Sequence, residues 1–110
     1  MHIERQLYAN GNVRLERHYL NYGYHREDGP AIIYYDINGN VKTQQYFIND
    51  EFVDIEQYQN ITYNQLIELI NLCEHVDDVL KLKLITNIQF KNEVDLLEVI
   101  ESKITMLKLL

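Results

Sequence analysis

The residues best suited to chemistry lie together in one short stretch of the chain. They are His25, Arg26, Glu27, Asp28, Gly29 and Pro30. A histidine within hydrogen-bond reach of a carboxylate can act as a general acid or base, so one hypothesis is a small hydrolase that uses His25 with Glu27 or Asp28. The alternative is structural, because Asp-Gly favours a turn and proline is tolerated as the first residue of a strand.

We favour the structural interpretation and predict no catalytic residue. In this turn Gly29 is expected to adopt a positive φ, which glycine does at little cost. Asp28 is expected to accept hydrogen bonds from turn amides, and His25 to bridge to a neighbouring turn. Residues 25–30 are therefore predicted to be a structural turn motif.

Two other patterns contain metal-ligand residue types at unsuitable spacing. Cys73 and His75 form a C-x-H pair without a second pair at zinc spacing. Residues 36–40, Asp-Ile-Asn-Gly-Asn, are similar to the start of a calcium loop, but Phe47 occupies the position of the bidentate glutamate. The sequence predicts neither a metal nor any other cofactor.

An internal repeat must position the motif at residues 25–30. The stretch "YANGNVRLERHYLNYGYHR" (8–26) aligns with "DINGNVKTQQYFINDEFVD" (36–54) at a period of 28 residues. Asn-Gly between β-prone runs is a strong hairpin signal, and a repeat of this length indicates stacked supersecondary units. The first half is therefore predicted to be an antiparallel meander with strands at 2–8, 13–20, 31–37, 41–48 and 51–54.

The register of the second hairpin depends on its loop length. A three-residue loop with a glycine bulge places Tyr35 opposite Val41 and Ile33 opposite Thr43. We prefer this register because it gathers apolar residues on one face, and a buried face determines register. The predicted face is Ala31, Ile33, Tyr35, Val41, Thr43 and Phe47.

For the first hairpin the loop length stays open. A two-residue turn has the merit of two cross-strand pairs of opposite charge. These pairs are Arg5 with Glu16 and Glu4 with Arg17.

The stretch "GYHREDGPAIIYYDINGNVKTQQYFIND" resembles the HREDGPA-type repeats, a variant of the MORN repeat. The resemblance covers residues 5–54 approximately, with one full motif at 25–31. It implies a β-meander stacked on itself that serves as an interaction surface, and it implies no reaction. Residues 53–56, Val-Asp-Ile-Glu, depart from the pattern where the next motif is due, so the array is expected to stop there.

The second half has helical periodicity. Thr62 and Gln65 form a capping box, and the spacing of Leu, Ile and Val predicts a helix over 63–76. Asn92 is expected to cap a last helix over 93–108, whose stripe is Val94, Leu97, Ile100, Ile104 and Leu107. Residues 77–90 carry both strand and helix signals, and we predict a short helix.

The predicted fold class is α+β: an antiparallel β-meander of hairpin repeats followed by two or three helices packed on it. Residues 1–56 form the repeat segment and residues 57–110 a helical cap. The two are expected to share one core as a single domain, because the open end of a repeat array needs cover. The apolar stripe of the last helix also allows a homodimer.

Charge and composition define the expected partner. The net charge is −7 without a Lys or Arg run, which disfavours direct nucleic-acid binding and favours a protein partner with a basic surface. No apolar run is long enough for a membrane span, and one cysteine with no signal-peptide pattern favours the cytoplasm. The expected contact residues are tyrosines and acids at turns and on an outward face: Tyr22, Tyr24, Tyr34, Tyr46, Asp50 and Glu51.

These observations predict a non-enzymatic, acidic protein-binding module. Asn and Ile are abundant and Ala and Pro are scarce, as in the products of AT-rich coding sequences. This composition, the small size and the resemblance lead to a more specific hypothesis. In it, the chain is a phage- or virus-encoded, anti-CRISPR-like inhibitor of a host nucleic-acid-handling defence protein, acting in the host cytoplasm. Two alternatives stay open: an antitoxin-like neutraliser of a partner enzyme, and a structural scaffold repeat protein.

Overall fold

The computed structural model describes all residues, 1–110, and the chain folds as two compact units, residues 1–53 and 54–110. The first unit is a six-stranded antiparallel sheet and the second is helical. The predicted α+β class with a β-meander is therefore confirmed. That the two halves share one core stays a prediction.

Five of the six strands follow the predicted ones to within a few residues, and the two-residue strand at Gly23–Tyr24 was not predicted. The strands are β1 (His2–Leu7), β2 (Val13–Leu20), β3 (Gly23–Tyr24), β4 (Ile32–Tyr35), β5 (Val41–Ile48) and β6 (Glu51–Val53). The order in the sheet is β1-β2-β4-β5-β6, and the short β3 pairs with β2 beside β4. Strands β1–β3 form the first repeat, and β4–β6 form the second.

Both hairpins turn with the same three-residue loop. Tyr8 donates its N–H to Asn12 O at 2.8 Å, and Asp36 donates its N–H to Asn40 O at 2.8 Å. Each loop ends on a glycine in the left-handed region, Gly11 at φ 89° and Gly39 at φ 90°. Only glycine adopts this backbone without strain, which explains why Asn-Gly recurs at a period of 28.

A bulge then changes the register three residues after each loop glycine. In the first hairpin the ladder passes from Leu7 opposite Val13 to Gln6 opposite Leu15, which leaves Arg14 as the extra residue. The predicted pairs of Arg5 with Glu16 and Glu4 with Arg17 are thereby formed, although the loop has three residues and not two.

The equivalent bulge in the second hairpin corrects the predicted register. Tyr35 lies opposite Val41 as predicted, but the extra residue Lys42 then places Tyr34, not Ile33, opposite Thr43. The predicted buried face is wrong for this reason, since Val41 and Thr43 are exposed. The buried apolar residues of the β unit are Leu15, Ala31, Ile32, Ile33, Ile48 and Val53.

The helical unit contains a 3₁₀ turn (Ile55–Tyr58) and three helices, α1 (Tyr63–Leu72), α2 (Val76–Gln89) and α3 (Val94–Lys108). The Thr62–Gln65 capping box is present. A helix in the middle segment is confirmed, but with 14 residues it is not short. Helix α1 ends before the predicted residue 76 because Cys73 is extended at ψ 137°. The core of this unit is Leu66, Ile70, Val79, Leu82, Leu96, Ile100 and Ile104.

The start of α3 differs from the prediction. Glu93, not Asn92, is the N-cap residue, and it makes no side-chain cap hydrogen bond. A turn in which Glu93 donates its N–H to Phe90 O at 3.1 Å delays the helix by one residue. The buried residues of α3 are Leu96, Ile100 and Ile104, while Val94 of the predicted stripe is 64% exposed.

Candidate functional site

His25 links the turn of its own motif to the second repeat. Its side chain is 1% exposed, and Nδ1 accepts the backbone N–H of Asn49 at 2.9 Å. Nε2 lies 2.9 Å from Glu27 Oε2. Asn49 has φ 48°, so the imidazole satisfies a backbone donor in a left-handed return. The predicted bridge from His25 to a neighbouring turn is confirmed.

Gly29 does not have the predicted positive φ. A Cβ at this position would lie 3.0 Å from Arg26 Cζ, so the glycine leaves room for the Arg26 guanidinium. Arg26 donates from Nε to Asp28 Oδ1 at 2.9 Å and from Nη1 to Pro30 O at 3.2 Å. The hydrogen bond from Arg26 is the main cause that lowers the pKa of Asp28, and a backbone amide hydrogen bond of the kind we expected contributes less.

A buried polar cluster lies beside this turn. Glu16 accepts from Arg5 Nε at 2.7 Å and lies 2.8 Å from His18 Nε2, while Arg26 Nη1 is 3.8 Å from the same carboxylate. Burial raises the pKa of Glu16, but the hydrogen bonds with His18 and Arg5 outweigh it and the net pKa is lowered. His18 is 5% exposed. The cluster is therefore an internal network with little surface to offer a substrate.

A row of five aromatic rings crosses one face of the sheet. Neighbouring ring centroids are 5.9, 5.1, 5.2 and 5.8 Å apart, distances at which aromatic pairs attract each other. We call this set the aromatic row: His2, Tyr19, Tyr24, Phe47 and Phe52. Directly opposite residues of paired strands point to the same face, and the row runs through three such pairs.

The repeat itself builds the aromatic row. Tyr19 and Phe47 are 28 residues apart, as are Tyr24 and Phe52. The contact between Tyr24 and Phe47 joins the first repeat to the second. At the end of the row Phe52 is 60% exposed, and the carboxylates of Asp50 and Glu51 precede it in the chain.

The predicted contact tyrosines lie in different places. Tyr24 belongs to the aromatic row, whereas Tyr22 is fully exposed on the preceding turn and makes no ring contact with it. Tyr34 is 41% exposed and lies on the face of the row, because it pairs with Thr43.

Tyr46 does not share a face with Tyr34, so the expected single outward face is wrong. Tyr46 follows Thr43 by three residues in β5, which turns its side chain to the opposite face. Its hydroxyl donates to Gln44 Oε1 at 2.9 Å, and burial raises its pKa. Of the two predicted acids, Asp50 Oδ1 accepts the N–H of Tyr24 at 3.1 Å.

The helical unit contains surface grooves. One groove of about 490 Å³ is lined by apolar residues, amide side chains and the carboxylates of Glu56 and Glu68. No group of three or more His, Cys, Asp or Glu side chains is arranged to hold a metal ion. None of the helices is both long and apolar enough to cross a membrane.

Comparison of the chain with protein-family models, with curated proteins and with solved structures finds no match. The resemblance to HREDGPA-type repeats thus rests on the motif at residues 25–31 and on the 28-residue period, and it stays a prediction.

Sequence reasoning missed most of the aromatic row and the Glu16–His18 pair. A signal for the row was present, because the repeat alignment places Phe52 under Tyr24 just as it places Phe47 under Tyr19. Without the register, however, nothing in the sequence shows that these four rings meet on one face.

Proposed function

We propose that the chain is a non-enzymatic protein-binding module that binds its partner through the aromatic row. The row is the observation that carries the proposal. Its rings bury large area at low conformational cost, and aromatic residues dominate the energetics of many interfaces. Rings already packed against each other lose little freedom on binding, which favours affinity.

The polar groups support binding over catalysis. The histidines of the turn motif and of the buried cluster hydrogen-bond within the chain and are almost fully buried. A general base must come within hydrogen-bond reach of a substrate proton. Because the imidazoles of His18 and His25 are buried and already hydrogen-bonded, they stabilise the fold and are poorly placed to reach a substrate proton.

The proposed partner has a basic surface. From residue 43 to residue 80 the sequence contains acids but no Lys or Arg. Complementary charge mainly accelerates association and selects the partner. We therefore keep the inhibitor of a nucleic-acid-handling protein, acting in a reducing cell interior, as the biological form of the proposal. An antitoxin-like role uses the same contacts on a different enzyme.

The test is capture of the partner from host lysate, followed by affinity measurements with matched variants. Phe52→Ala removes an exposed ring of the aromatic row, and Tyr22→Ala removes an exposed ring outside it. We expect Phe52→Ala to weaken binding at least about tenfold and Tyr22→Ala to leave it nearly unchanged. The reverse order, or no effect of either, would overturn the proposal.

A further inference from the structure

The sheet has an open edge where the repeat array ends. Strand β2 is paired on one side with β1 and on the other with β3 and β4. Its equivalent β5 pairs with β4 on one side, but on the other side β6 covers only Tyr46–Ile48. Residues Thr43–Gln45 therefore have no strand on their outer side.

The backbone of Gln44 points out of this edge. In an antiparallel ladder, alternate residues direct their N–H and C=O toward opposite neighbours. His18 donates its N–H to Ala31 O, so Glu16 directs its peptide groups toward Ile33. Ile33 then faces away from β5, and its opposite residue Gln44 directs its own N–H and C=O outward.

The first repeat shows what fits such an edge. Gln44 is the 28-residue equivalent of Glu16, against which β4 lies with Ile32 and Ile33. Beside β4, Leu15 and Glu16 are 3% and 9% exposed, while their equivalents Thr43 and Gln44 are exposed. The edge of β5 thus has the backbone geometry of an edge that already accepts an antiparallel strand.

We propose that the partner adds an extended, cationic segment to this edge, antiparallel to β5. The proposal rests on the proposed function and names the partner's recognition element. The segment takes the place that β4 has beside β2, with hydrogen bonds to Gln44 N–H and O. An aliphatic side chain in the position of Ile32 lies on the face of the aromatic row, next to Phe47 and Phe52.

Charge selects the segment. Near this edge, Glu51 lies in β6 and Asp50 in the turn before it. Residues 43–53 contain no Lys or Arg, and Lys42 precedes them in β5. In a segment that alternates aliphatic residues with Lys or Arg, the aliphatic side chains pack on the face of the aromatic row and the cations lie near the carboxylates. Main-chain hydrogen bonds at a sheet edge provide affinity, and alternate side chains provide specificity.

The probe is a synthetic peptide that copies residues 30–36 of this chain, with two lysines added at each end. Its matched control is N-methylated at the position of Ile33, which removes only the N–H that pairs with Gln44. We expect the parent peptide to slow amide exchange of Gln44 at least about tenfold and the methylated peptide to have no effect. Equal binding of both peptides, or binding without protection of Gln44, would overturn the strand-addition proposal.

Two variants of the chain separate this proposal from the proposed function. Gln44→Pro removes the outward N–H and no ladder hydrogen bond, and its folding is checked by circular dichroism. If the captured partner binds Gln44→Pro normally but loses affinity for Phe52→Ala, strand addition is wrong and the aromatic row is the binding site. If neither variant changes affinity, both proposals fail. Self-association that Gln44→Pro abolishes would identify a second copy as the occupant and would also overturn the proposal.

Discussion

The two repeats have the same backbone but different neighbours, and the comparison separates folding from function. Both turn on a left-handed glycine, and both carry a bulge at the equivalent residue. The first repeat is covered on both edges of β2 and buries Leu15 and Glu16. The second leaves Thr43 and Gln44 exposed. Equivalent positions of β2 and β5 are therefore buried in one copy and form a free surface in the other.

The largest difference between the repeats should appear at Leu15 and Thr43. Leu15→Ala is expected to cost about 2–5 kcal/mol of unfolding free energy, because it leaves a cavity in the core. Thr43→Ala is expected to change it by no more than about 0.5 kcal/mol. Urea unfolding followed by near-UV circular dichroism reports on the β unit, which holds seven of the nine tyrosines. If Leu15→Ala and Thr43→Ala lowered the free energy of unfolding equally, the outer edge of β5 would be covered as well.

The next comparison is Glu16 with Gln44. Glu16→Gln should cost about 1–3 kcal/mol, because the amide cannot accept charge-assisted hydrogen bonds from both Arg5 and His18. The reverse exchange, Gln44→Glu, should be nearly neutral because residue 44 is exposed. If Glu16→Gln is neutral, the buried cluster does not stabilise the sheet.

A Gly→Ala substitution should lower the free energy of unfolding by a similar amount in each of the two hairpin turns. Gly11 and Gly39 have φ values of 89° and 90° with no atom near a new Cβ, so each Gly→Ala change should cost about 1–2 kcal/mol from backbone strain alone. Gly29→Ala should instead act through Arg26, and its cost should shrink in an Arg26→Ala background. A cost at only one of the two turns would refute their equivalence.

Acid should weaken the first repeat gradually. The pKa values of Glu16 and Asp28 are lowered from 4.5 and 3.8. A carboxylate with a lowered pKa stabilises the fold above its unfolded value, and this contribution disappears as pH falls through the folded value. The free energy of unfolding should therefore start to fall near pH 4.5 and continue falling below pH 3.8. Glu16→Gln should flatten the upper part of that fall. A rise in stability on acidification would contradict these shifts.

Sequence reasoning predicted the elements of this molecule better than their contacts. The Asn-Gly period, the Thr62–Gln65 box and the apolar spacing are local signals, and each predicted its strand or helix. The bulges at Arg14 and Lys42 have no local signal, because nothing in their side chains marks them as the extra residue. A register shift of one residue was therefore missed in the second hairpin, and with it the faces of Tyr34 and Tyr46.

The same limit applies to the candidate site. His25 was predicted to bridge turns because its motif has turn chemistry, and this is confirmed. Gly29 was explained by a positive φ, whereas the contact with the Arg26 side chain explains it in the structure. The aromatic row combines residues from five strands, so its existence depends on register and not on any one stretch of sequence.

We propose that the open end of the repeat array, with the aromatic row, is the binding surface. Hydrogen–deuterium exchange of the chain alone and bound to its captured partner tests this most directly. We expect the strongest new protection in residues 43–53, at Gln44 and around Phe52, and little change in α3. Protection confined to α1 and α3, with unchanged exchange in residues 43–53, would contradict it.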